Sequence, residues 1–166
     1  MIRKLAIIIG CVLAITPTAE AATHTPTTTK IQQVNLAKVL WRDSARTKLQ
    51  DAVTSASKRV HRTSYVFAGS TIYGWDCSGL VRWVYRKAGI TLPHSADKQA
   101  HSGQRVSIPK RGDIVVFAYR GSTDFYHAAI YLGSGLILHA NREYKTTVIE
   151  PLDTFKDSQI RFIRVL

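Results

Sequence analysis

At 166 residues the chain is long enough for one domain with a single hydrophobic core that needs no covalent staples. Lys and Arg number 23 against 11 Asp and Glu, a net charge of +12, which favours contact with something anionic. No block of Lys and Arg is longer than a pair, which argues against a dedicated nucleic-acid binder.

The first 21 residues, MIRKLAIIIGCVLAITPTAEA, carry Arg3 and Lys4, an apolar run from Leu5 to Ile15, and Ala19-Glu20-Ala21. A basic start, a short apolar stretch and a small-x-small exit describe a secretory signal peptide, with cleavage expected after Ala21. The run is too short for an ordinary membrane span, so no stable span is expected after processing. Ile8-Ile9-Gly10-Cys11 offers a competing lipoprotein reading, but Cys11 comes early and apolar residues continue beyond it. Cleavage after Ala21 removes Cys11 and leaves Cys77 alone in an exported protein, destined for the periplasm or the cell exterior. A lone cysteine there cannot form an internal disulfide and is flagged as reactive or intermolecular.

Residues 22–46 begin as a Thr-rich leader, THTPTTTK, followed by the start of a helical pattern. The domain proper is expected over 47–166. Ile31, Val34, Leu40, Trp41, Leu49, Val53, Ala56 and Val60 recur at helical spacings over 31–60, with a possible break at Asp43-Ser44. SYVFAGSTIYGWD (64–76) is aromatic and Gly-rich, the texture of a site-shaping loop. CSGLVRWVYRKAG then reads as a helix over 77–88, with Asp76 at the N-cap and Gly89 at the stop. A short helix is expected at 95–101. Five β-rich runs follow at 113–119, 127–133, 136–140, 146–150 and 160–166, with Ser134-Gly135 as a hairpin turn. Helices first and strands after predict an α+β fold: N-terminal helices on an antiparallel sheet of about five strands.

Cys77 opens the 77–88 helix, where unpaired N–H groups and the helix dipole lower a thiol pKa. The N–H groups of Cys77 and Ser78 are placed to stabilise an oxyanion, and Gly79 is expected to give substrate room. A base comes from His127 and His139, on neighbouring strands of the hairpin. Their even separation is expected to keep both on one face, one acting as base and the other orienting it. Zinc is the sharper rival, because Cys77, His127 and His139 are all possible ligands. The chain has no HExxH and no CxxC, so no metal or cofactor is expected. His94 and His101 read as surface residues.

SYVFAGS, GWDCSGLVRWVYRKAGITLP, KRGDIVVF, HAAIYLGSG and LILHA, in that order, resemble the marks of the NlpC family of bacterial cell-wall cysteine peptidases. The resemblance covers about residues 50 to 165. It implies a papain-like fold with Cys77 as nucleophile, His127 as base and then acid, and His139 orienting His127. It implies Tyr65 beside the thiol, helping to polarise the carbonyl, and Asp76 and Ser78 at the substrate end of the cleft. The implied partner is peptidoglycan, with anionic wall polymers attracted by charge. The implied reaction is hydrolysis of the stem peptide at the γ-D-glutamyl to diaminopimelate bond, starting from a thiolate–imidazolium pair and passing through a thioester. An amidase or acyltransferase on the same scaffold, or an inactive wall-binding protein, are the alternatives. The chain departs from the family pattern at Ala68-Gly69, His94 and Ala128-Ala129, all on the expected cleft walls.

Overall fold

The computed structural model describes residues 29–166; the expected signal segment and most of the leader lie outside them. The first helix, α1 (Lys30–Ser57), starts at a capping box in which the Thr29 hydroxyl accepts from the Gln32 N–H and the Gln32 side chain accepts from the Thr29 N–H. It runs unbroken through Asp43-Ser44. Both residues are exposed, so neither interrupts packing, and Thr47 bonds back to the Asp43 carbonyl within the helix. Only the second half has a buried face, made of Ala45, Leu49, Ala52, Val53 and Ala56.

A two-residue hairpin, β1 (Ser70–Thr71) with β2 (Gly74–Trp75), leads into α2 (Cys77–Lys87). A single turn, α3 (Ala96–Gln99), occupies the middle of the expected 95–101 helix. The strands are β3 (Gln104–Val106), β4 (Ile114–Tyr119), β5 (Phe125–Gly133), β6 (Leu136–Asn141), β7 (Thr146–Pro151) and β8 (Ser158–Arg164), with a 3₁₀ turn at Leu152–Phe155.

The main sheet is antiparallel and six-stranded, in the order β3-β8-β4-β5-β6-β7. The strand beyond the expected five is β3. Its three residues show no alternation, and it exists because Gln104, Arg105 and Val106 pair with Arg164, Ile163 and Phe162 at the sheet edge. A tertiary partner, not intrinsic propensity, makes such a strand.

One apolar face of the sheet, including Ile114, Val116, Ala128, Ile130, Leu138 and Ala140, packs on α2, which α1 covers in turn. The opposite face carries Val115, Phe117, Ala129 and Ile137 under Leu152, Phe155, Ile160 and Phe162. Burial on both faces explains why IVVF in β4 reads as a continuous apolar run with no alternation. Beneath the core, Arg164 makes two bonds to the Asp113 carboxylate, at 3.1 and 2.7 Å, tying β8 to the start of β4.

Candidate active site

Asp76 caps α2 from below the cysteine. Its Oδ1 accepts from the Gly79 N–H at 2.7 Å and the Ser78 hydroxyl at 3.0 Å, and it lies 2.9 Å from His94 Nε2. Its Oδ2 accepts from the Ala68 N–H at 3.0 Å. The carboxylate therefore pins the aromatic-Gly loop, the loop carrying His94 and the first turn of α2 to one point. Asp76 and Ser78 are both buried, and the Ser78 hydroxyl is spent on Asp76. Fully engaged within the protein, the two residues build the cleft floor. His94 is not a free surface residue, since it closes this network.

Gly79 also has a different use from the one expected. The Gly69 carbonyl sits where a Cβ would stand, with His94 Nε2 3.0 Å from the same point. Its missing side chain makes room for the site-shaping loop and His94, not for substrate.

Cys77 projects from the first turn of α2 as a free thiol. Burial pushes its pKa up, and the Asp76 charge pushes the same way. Hydrogen bonding from the backbone at Ala128, Ser78 and Cys77 itself pulls down without reversing the sign. Burial lowers His127 to about 3, with help from the neighbouring His139 ring. Burial therefore pushes both groups toward their neutral forms, against the pull of the helix terminus. Desolvation of the two groups outweighs the helix end.

His127 lies just after a bulge. Phe117 pairs with His127 but Ala118 pairs with Phe125, which leaves Tyr126 as an extra residue in β5. Bulges of this kind re-aim the adjoining side chain. His127 Nε2 is 2.9 Å from His139 Nδ1, and the rings meet edge to face. The nitrogen left open on His127 is Nδ1, and His127 shares its cleft with Cys77.

His139 and His127 do share a face, though a regular ladder would not have put them there. The turn pairs Gly133 with Leu136, and a regular continuation would send the two histidines to opposite sides. Leu132 is an extra residue, so that Tyr131 pairs with Ile137 and Ile130 with Leu138. This shift of one restores the parity.

On its far side His139 Nε2 is 2.7 Å from Glu150 Oε2, which also accepts from Asn141 Nδ2 at 3.3 Å. Nothing local in the sequence marks Glu150. The available signal was its position in β7: His139 pairs with Val148, so Glu150 is the same-face diagonal neighbour, within reach of a long side chain. The Phe155 ring lies parallel to His127 at 5.6 Å and edge-on to His139 at 5.6 Å, and so shields the pair.

Tyr65 stands beside the thiol. Burial, then the proximity of Cys77 and Asp76, raises its pKa, so it remains a phenol able to donate. Two depressions of about 500 and 460 Å³ share Tyr65, Cys77, Tyr126 and Arg142. Cys77 thus sits midway along a groove open in both directions, as a chain passing the nucleophile requires. Arg142 is exposed, lines both halves, and makes no ion pair among the described residues.

Residues 62–164 match the NlpC/P60 family, and the chain belongs to it. A protein of Mycobacterium bovis named "Probable endopeptidase" is 37 % identical over 105 residues, which is 62 % of this chain and 26 % of the relative. The γ-DL-glutamyl hydrolase of Bacillus subtilis is 41 % identical over 104 residues, 60 % of this chain and 25 % of the relative. The crystal structure of an NlpC/P60 family protein from Bacillus cereus superposes with a TM-score of 0.65 at 28 % identity, covering 71 % of this chain and 40 % of that one. The chain spans about a quarter of the length of the two sequence relatives.

Proposed function

We propose that the protein is an exported cysteine endopeptidase that hydrolyses peptidoglycan stem peptides at the γ-D-glutamyl to diaminopimelate bond. The observation that carries this reading is a half-buried thiol at a helix start, in an open groove that it shares with a histidine whose other nitrogen is already engaged. Family membership and relatives named as an endopeptidase and a γ-glutamyl hydrolase support it.

In the proposed reaction His127 Nδ1 takes the Cys77 proton as the sulfur attacks the amide carbonyl. The new C–S bond forms, and the oxygen charge meets the backbone N–H donors at the start of α2 and the Tyr65 hydroxyl. His127 then returns the proton to the leaving amine as the C–N bond breaks. Water, deprotonated by His127, hydrolyses the thioester and restores the thiol. His139 holds the His127 ring in place throughout. A γ-linked glutamate keeps a free α-carboxylate near the scissile bond, and Arg142 supplies the cation to receive it. The positive charge holds the enzyme near anionic wall polymers, an attraction that weakens with salt.

The test is digestion of purified peptidoglycan by wild type and Cys77→Ala, with released fragments identified by mass. New termini at the γ-D-glutamyl bond with wild type alone are expected. Equal release by both proteins, or none by wild type, would end the reading.

A further inference from the structure

The triad ends at His139 in the family-based reading, but the hydrogen-bonded row does not. His127 Nε2, His139 Nδ1, His139 Nε2 and Glu150 Oε2 lie in series at 2.9 and 2.7 Å, with His139 buried and the Glu150 side chain 14 % exposed. Neutral imidazole has one N–H and one lone pair, so a row of two rings runs in one of two directions. A carboxylate only accepts. Glu150 therefore takes the proton-bearing Nε2 of His139, which leaves His139 Nδ1 as a lone pair. That lone pair accepts the Nε2–H of His127, and His127 Nδ1, in the cleft that also holds Cys77, is left unprotonated. Run the other way, the row would place an N–H on His127 Nδ1 and leave His127 no lone pair for the thiol proton.

We propose that Glu150 is a positioning residue. Acting through His139, it sets the direction of this row, keeps the His127 lone pair on Nδ1, and offsets the positive charge that His127 gains on taking the Cys77 proton. Proton and charge balance throughout: the single proton leaving Cys77 Sγ resides on His127 Nδ1, while His139 and Glu150 keep the states they began with. The peptidase reading is needed for the kinetic consequence only; the proton placement stands without it.

Two variants separate the contributions. Glu150→Gln keeps an acceptor for His139 and Asn141 but removes the charge; Glu150→Leu removes both at similar volume. Imidazole ¹⁵N spectra of the full chain, assigned with His127 and His139 substitutions, should show both rings protonated at Nε2 in wild type and in Glu150→Gln. In Glu150→Leu, His127 should become a mixture with the Nδ1–H form. On the peptide substrate, kcat should fall on the order of tenfold in Glu150→Gln and further in Glu150→Leu, with KM nearly constant, because the lost interaction strengthens only once His127 is charged. A wild-type spectrum with the proton on His139 Nδ1 would overturn the proposal, as would a folded Glu150→Leu with wild-type kcat. If wild type cleaves no peptidoglycan, the functional reading fails while the spectra still decide the role of Glu150.

Discussion

Replacing Asp76 tests whether one carboxylate assembles the site. Asp76→Ala deletes the cap of α2 and the four contacts at 2.7 to 3.0 Å. It leaves the Gly79 and Ala68 N–H groups without their acceptor. Loss of the N-cap, which is the Gly79 bond, costs about 1–2 kcal/mol, and orphaning the part-buried Ala68 N–H and the buried Ser78 hydroxyl costs about 1–3 kcal/mol each. Together these place Asp76→Ala at about 3–5 kcal/mol, since partial relaxation trims the sum. Asp76→Asn keeps a capping oxygen for Gly79 and Ser78 but turns an amide donor toward the Ala68 N–H, at about 1–2 kcal/mol. For a domain of this size 1 kcal/mol moves Tm by about 3 °C. Thermal denaturation followed by circular dichroism should thus show a drop of about 10–15 °C for Ala and about 3–6 °C for Asn. A second readout carries the opposite sign. The Asp76 charge raises the Cys77 pKa, so Asp76→Asn should speed alkylation of Cys77 at a fixed pH near neutrality. Asp76→Ala melting within about 2 °C of wild type would refute the assembly role. Slower alkylation in the Asn variant would refute the electrostatic one.

Wild-type alkylation should itself lack the fast plateau below neutral pH that marks a thiolate–imidazolium pair, because burial holds Cys77 above its ordinary range. His127 is lowered to about 3 when folded, so the unfolded chain binds more protons between that value and the ordinary histidine pKa. Stability should fall as pH drops through about 6.5 toward 3, and Tm measured across pH 7 to 4 should fall less steeply in His127→Asn. Arg142→Gln should raise KM about tenfold or more for a γ-linked glutamyl peptide with a free α-carboxylate, and much less for its amidated counterpart, in a steady-state peptide assay. Equal effects on the two peptides would remove Arg142 from carboxylate recognition.

The parts of the fold legible in the sequence are those that local chemistry dictates. Asp76 followed by an amphipathic run marks a capped helix whatever surrounds it, and Ser134-Gly135 between two β-rich runs marks a hairpin. Both Ser134 and Gly135 take positive φ, at 51° and 74°. The parts that were not legible depend on distant partners. β3 needs β8, Glu150 needs the register of β6 against β7, and Gly79 needs the carbonyl of Gly69. The charge state of Cys77 belongs with these. A helix N-terminus favours a thiolate, and the burial that pushes the other way comes from elements distant in the sequence. The half of α1 before Ala45 shows the reverse case, in which helical spacing of Ile31, Val34 and Trp41 is real but, among the described residues, no core lies against it.

The two bulges in β5 show how the strand serves packing and chemistry at once. At Ala128 and Ile130 it presents side chains to α2, while His127 must meet His139 and line the cleft that holds Cys77. The β5–β6 pairing extends from the turn only as far as Ile130 and Leu138. Carried on in the same register it would set Ala129 against His139 and Asn141 against His127. The strands instead stop pairing there, and α2 packs against both, with the backbone of Ala128 close enough to the Cys77 sulfur to pull its pKa down. A continuous ladder would have turned that backbone into the sheet and away from the thiol. The extra residue at Leu132 sets which face His127 shares with His139, and the extra residue at Tyr126 shifts the strand by one against β4 just before His127. Pairing is given up over a few residues so that its freed backbone and its two histidines can face a cysteine carried by a different layer of the fold.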